Sequence, residues 1–338
     1  MLAGVSLPPE WPKIAEPAAR PRLALIDVLR GVAIVAMIAY HLAWDLAYFG
    51  FIYNITEDSG WIWFQRSILG SFLVLVGIGL VLGHGGPEGI GWRAFWRRWL
   101  ILVAAALAMS IATYVAFGEA FAFFGILHAI ALFSLAGLLF LRLPWWVNAG
   151  VAAAVIALGA TVTLDGFSER SLAWIGFWEI PPYTADLVSV FPWFGATLIG
   201  ISLGQLVKWR EVRWAPADPL TRGLRLLGRW SLLVYLIHQP LMLAVIYPLA
   251  GWLRPVAEEV EVSAEERDPQ TFLARCQPAC IDGGGQAAEC TAYCSCALEQ
   301  IATGDLWSAV AAPDPTPAQQ AEVDGVIRMC RAMAGMAQ

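Results

Sequence analysis

Residues 22–50 read RLALIDVLRGVAIVAMIAYHLAWDLAYFG, an apolar run that nonetheless carries Asp27, Arg30, His41 and Asp45. About 20 apolar residues cross ~30 Å of hydrocarbon as a helix, and an ionisable side chain at that depth is costly enough to suggest a function. Asp27, Arg30, Ile34, Met37, His41 and Asp45 recur every three or four residues, so a helix lines them along one stripe. Eleven residues separate Arg30 from His41, which is about three turns, or roughly 16 Å. Asp45 lies one turn beyond His41, placed to receive a ring N–H and hold the imidazole in one tautomer.

The rest of the chain sets this helix in a membrane. Of 338 residues 59% are hydrophobic and 14% charged, against about 25% charged in soluble domains. Apolar runs recur near residues 26–48, 62–83, 99–117, 121–141, 145–164, 187–207 and 230–252, with tryptophans such as Trp61, Trp92, Trp145 and Trp230 at their ends. Buried helices of a soluble protein would keep a polar face, and these runs have almost none. The expected fold is an all-α polytopic bundle of about seven transmembrane helices, with a small disulfide-stapled helical extension at the C-terminus. A net charge of −6 without a large basic cluster excludes a nucleic-acid partner.

Cations mark the expected inner side: Lys13, Arg20 and Arg22; then Arg93, Arg97 and Arg98 in the second-to-third loop; Arg142; and Lys208, Arg210, Arg213, Arg222, Arg225 and Arg229 in the sixth-to-seventh loop. The N-terminal segment 1–22 is then cytosolic, 23–254 is the bundle, and 255–338 is an extracytoplasmic tail. A bacterial inner membrane with a periplasmic tail fits, and a lumenal tail in an endomembrane satisfies the same physics. The tail is acidic, with 13 Asp/Glu against 4 Lys/Arg, and holds all six cysteines. An oxidising compartment permits that arrangement. Two C-x3-C pairs place each pair on one helix face, so Cys276–Cys294 nested around Cys280–Cys290 fits, leaving Cys296–Cys330. Fifteen connectivities are open to six cysteines. A metal site is the rival, disfavoured because the tail has no histidine.

Other polar residues reach similar depths. Arg66 is a structural ion-pair candidate for Asp45; His128 and Asp186 lie near the outer leaflet; His238 precedes Gln239 and a helix-kinking Pro240. Packing alone is a sufficient explanation for His84 and an adequate one for His238.

The run Ile26-Asp27-Val-Leu-Arg30-Gly31, with Arg30-x10-His41-x3-Asp45, resembles the first helix of the heparan-alpha-glucosaminide N-acetyltransferase catalytic-domain family, within a superfamily of transmembrane acyltransferases. Phe124-Gly125-Ile-Leu-His128 and Leu227-Gly228-Arg229-x-Ser231 through His238-Gln239-Pro240 support it, over roughly residues 20–250. The resemblance implies acyl transfer across the bilayer from cytosolic acyl-CoA, acetyl-CoA by analogy, to a glycan-like acceptor outside, with no metal. Arg30, with Asp27 beside it, would meet the donor, and Arg93, Arg97 and Arg98 would attract its phosphates. His41 would be the general base, Asp45 its orienting acid, and His128 a stabiliser of the developing oxyanion. Larger members of the family have about ten or eleven helices, so a short chain is a minimal enzyme, a homodimer completing its tunnel, or a descendant without catalysis. Two further classes stay open: a non-catalytic subunit whose tail docks a protein partner, and a proton-coupled carrier.

Overall fold

The computed structural model describes residues 23–336 except 50, 53–54, 56–57, 87–88, 165, 183, 208, 213, 215–217, 254–262, 264–266, 313–314 and 316. The N-terminal cations, Lys208, Arg213 and most of the acidic stretch 254–268 lie outside those residues. Within them, every regular element is helical, and the one β contact is a bridge between Phe124 and Leu187.

The membrane body runs α1 (Ala24–Tyr48), α2 (Ser59–His84), α3 (Trp92–Phe117), α4 (Ile126–Gly137), α5 (Trp145–Thr161), the four-residue α6 (Arg170–Ala173), α7 (Val190–Leu206), α8 (Pro219–Arg229) and α9 (Ser231–Leu253). Helices α1, α2, α3 and α9 are long and apolar enough to cross a membrane, while α4, α5 and α7 are apolar but shorter. Leu100, Ile101, Leu107, Ile111 and Val115 of α3 lie exposed, as do Leu233, Ile237, Leu241 and Val245 of α9. Such continuous apolar faces would be unfavourable in water, and hydrocarbon as the surrounding solvent accounts for them. The protein is an integral membrane helical bundle.

The centre of the bundle is α2 packed on α7, and α7 on α5. A methyl on Gly77 would strike the Thr197 carbonyl, and one on Gly200 would strike that of Val74. Small residues permit this close backbone approach, which holds helices together where burial from water cannot. Leu80, Phe95, Leu138, Ala152, Leu198 and Ile201 fill the core beside it. Fully buried Asn148 donates to the Phe140 carbonyl and to Gln205 Oε1, both at 3.1 Å. Gln205 Nε2 in turn donates to the carbonyls of Leu141 (3.0 Å) and Leu143 (2.9 Å), fixing the turn between α4 and α5.

Three expectations are corrected. The fourth run is not helical from residue 121. Gly118, at φ +55°, ends α3, and the backbone of residues 120–124 pairs with the segment before α7: Ala185 N–H donates to the Ala120 carbonyl and Val188 N–H to that of Phe124. Secondly, Arg93, Arg97 and Arg98 are not in a loop; they lie exposed on the first two turns of α3, around buried Phe95. Thirdly, the basic stretch before α9 contains α8. Asp218 caps it by accepting the Thr221 N–H at 2.9 Å, and Pro219 opens its first turn. Methyls on Gly31 and Gly228 would strike the carbonyls of Leu224 and Asp27, so α8 lies hard against the Arg30 end of α1.

The tail contains α10 (Pro269–Asp282), α11 (Ala287–Thr303), α12 (Trp307–Ala311) and α13 (Pro317–Met333). Disulfides Cys276–Cys294 and Cys280–Cys290 join α10 to α11, and Cys296–Cys330 joins α11 to α13. Ala297, Ile301 and Trp307 pack beside Cys330 as a small core. Helix α13 also touches α1.

Candidate active site

The stripe on α1 faces protein. Asp27, Ile34, Met37 and Asp45 are buried, and Arg30 and His41 are partly so. Helix α9 runs beside the second half of α1 in the same direction. His238 stands opposite His41, Gln239 opposite Asp45, and Tyr247 against Phe49.

At the first of these rungs the His41 and His238 ring centroids are 4.9 Å apart, with Tyr40 edge-on to His41 at 5.8 Å. His238 Nδ1 lies 2.6 Å from the Tyr235 carbonyl oxygen. A carbonyl only accepts, so Nδ1 carries the proton, and in the neutral ring Nε2 keeps a lone pair. That Nε2 is buried and has no hydrogen-bond partner.

At the second rung Gln239 Nε2 donates to Asp45 Oδ1 at 2.6 Å. Asp45 therefore does not receive a ring N–H from His41, because its carboxylate turns toward α9. Nor does it pair with Arg66, which lies exposed over the Trp63 ring at 5.7 Å. Asp45 Oδ2 and Gln239 Oε1 are buried acceptors without a partner. With His238 Nε2 they make three buried acceptors on this seam that lack hydrogen-bond donors.

Arg30 sits at the other end of the stripe. Its Nη1 is 3.9 Å from Asp27 Oδ1, and its guanidinium lies over Gly79 of α2. His84, just over a turn past Gly79, packs edge-on to Phe95 at 5.5 Å, so Arg93, Arg97 and Arg98 belong to the same end of the bundle. Exposed Arg222 and Arg229 of α8 join them there.

His128 lies where α4 packs on α3. Its Nε2 is 3.3 Å from Ser110 Oγ, and its ring stacks on Phe124 at 5.9 Å. Asp186 accepts the Ile126 N–H at 2.9 Å and so fixes the start of α4. Tyr235 packs near this region against the cluster around Leu127, and among the described residues no hydrogen bond or ring contact joins His128 to His41. Sequence reading missed Gln239 as the partner of Asp45 and Ser110 as the partner of His128, while it already put the α8 cations on the Arg30 side. The His238-Gln239-Pro240 triplet was the available signal for the first. Among the described residues no three His, Cys, Asp or Glu side chains cluster as metal ligands.

No curated protein and no solved structure matches the chain significantly. The family profile described as heparan-alpha-glucosaminide N-acetyltransferase, catalytic, matches residues 22–240, which include Arg30, His41, Asp45, His128 and His238 and exclude the cysteine tail. The chain belongs to the heparan-alpha-glucosaminide N-acetyltransferase catalytic-domain family.

Proposed function

We propose that this chain is a membrane-embedded acyltransferase that moves an acyl group, acetyl in the first instance, from acyl-CoA to a sugar-like acceptor on the opposite side. The observation that carries the reading is the single inward stripe of α1, with Arg30 near one end and His41 toward the other, inside the family match. Arg30 holds the phosphates or pantetheine arm of the donor, and Arg93, Arg97 and Arg98 raise its local concentration. His41 takes the proton from the acceptor hydroxyl or amine as that atom bonds to the thioester carbonyl carbon. The C–S bond then breaks, and the thiolate leaves as CoA. The Arg30 end faces the cytosol, and the tail, residues 255–338, lies outside the cytosol, where its disulfides persist.

The test is CoA release in proteoliposomes given acetyl-CoA and D-glucosamine, comparing wild type with His41→Ala and Arg30→Ala. Release by wild type, abolished in His41→Ala and shifted to higher KM for acetyl-CoA in Arg30→Ala, is expected. Absence of release by wild type with donor on either side would sink the reading. The tail outside the family match favours a second reading, a non-catalytic subunit that docks a partner through residues 255–338. Copurification of a partner that is lost on deleting the tail, without turnover, would establish it.

A further inference from the structure

We propose that His238 is the proton acceptor behind His41, filling the role that sequence assigns to Asp45; this rests on the acyl-transfer reading above. Three observations converge. The two rings are 4.9 Å apart between centroids. The Tyr235 carbonyl fixes the His238 proton on Nδ1 and leaves a lone pair on Nε2. That Nε2 is buried and unpartnered, on a residue only 6% exposed. A buried acceptor without a donor is rare in a native protein, and the neighbouring ring able to supply an N–H, 4.9 Å away between centroids, is that of His41.

Asp45 acts one step further out. Its bond to Gln239, the residue after His238, fixes the register of α9 on α1 and so keeps the two rings facing. In the reaction the acceptor O–H or N–H proton passes to one nitrogen of His41, whose other N–H proton passes to His238 Nε2. His238 is then an imidazolium, with Nδ1–H still held by Tyr235. When the C–S bond breaks, the proton returns through His41 to the departing sulfur, giving CoA thiol and acylated acceptor. No atom or charge is left over. His238 is thus a positioning and proton-accepting residue that acts through His41.

The discriminating variant is His238→Asn. An asparagine amide can keep the donation to the Tyr235 carbonyl while offering nothing at the Nε2 position. With acetyl-CoA and D-glucosamine in proteoliposomes, kcat should fall by roughly 10²–10⁴-fold, the range of a lost acid–base function, with KM for acetyl-CoA and thermal midpoint unchanged. Turnover by His238→Asn within about threefold of wild type, while His41→Ala is inactive, would overturn the role of His238 and leave acyl transfer intact. No turnover by wild type would overturn both. A second measurement does not depend on His238→Asn folding: ¹⁵N NMR of wild type labelled at its four histidines, assigned with His41, His84 and His128 substitutions. A pyridine-type Nε2 on His238 is expected, and a proton on Nε2 in place of Nδ1 would overturn the proposal.

Discussion

The Asp45 carboxylate and the Gln239 amide meet at 2.6 Å across the seam between α1 and α9. An acid one turn from a candidate catalytic histidine is thereby used to clamp two helices. Replacing Gln239 with leucine removes this donor and leaves a buried carboxylate unpaired. A loss of roughly 1–3 kcal/mol is expected, read as a lower thermal midpoint in detergent. Gln239→Glu should also destabilise near neutral pH, by placing two carboxylates together.

Gly79 leaves room for the Arg30 guanidinium, 3.1 Å from where a Cβ would sit. Gly79→Leu should push that guanidinium aside without altering its charge. Higher KM for acetyl-CoA with little change in kcat is the expected result, smaller than that of Arg30→Ala. An unchanged KM would separate Arg30 from donor binding.

Gly200 abuts the Val74 carbonyl so closely that even alanine must part α2 from α7. Gly200→Ala should cost about 1–3 kcal/mol through overpacking, measurable as earlier loss of monodisperse protein on heating. The His41–His238 spacing belongs to a different seam, so residual folded protein should retain its turnover per molecule.

Helix α8 should respond to acid. The Thr221 hydroxyl and backbone N–H bonded to the Asp218 carboxylate hold it below the usual carboxylate range. A lowered folded-state pKa adds stability above the unfolded pKa, and that stability is lost as pH falls through the folded one. Protection of α8 amides from hydrogen exchange should therefore weaken below about pH 4. In Asp218→Asn, which keeps a cap without a titrating group, the weakening should vanish.

Removing Cys296–Cys330 by the double substitution to serine releases α13 from α11. About 2–4 kcal/mol is the usual scale for a lost disulfide. Limited proteolysis of the full chain should show cleavage within α13 while α10 and α11, joined by two bonds, resist.

Much of this was legible because charge within an apolar run is conspicuous. Asp27, Arg30, His41 and Asp45 stand out against α1, and their spacing puts them on one face. What the spacing could not give was the other side of the seam. Gln239 is polar but uncharged, and it sits 194 residues from Asp45, so one helix period says nothing about their meeting. Helix α8 was hidden differently: its arginines read as a basic loop, although Asp218-Pro219 already carried a cap and a first-turn proline. The late start of α4 depends on pairing between residues 120–124 and 185–188, which apolarity cannot disclose.

The same separation orders events during synthesis. Helix α1 is made well before α9, bearing its acids, its arginine and its histidine while α2 to α8 are still to come. Until then Asp45 has no Gln239 and His41 no ring opposite. A nascent chain stopped before α9 would hold an uncompensated acid within the bilayer, which is costly. Completion of the His41–His238 pair and of the α1–α9 seam are thus one event, and it waits on the last long apolar helix among the described residues.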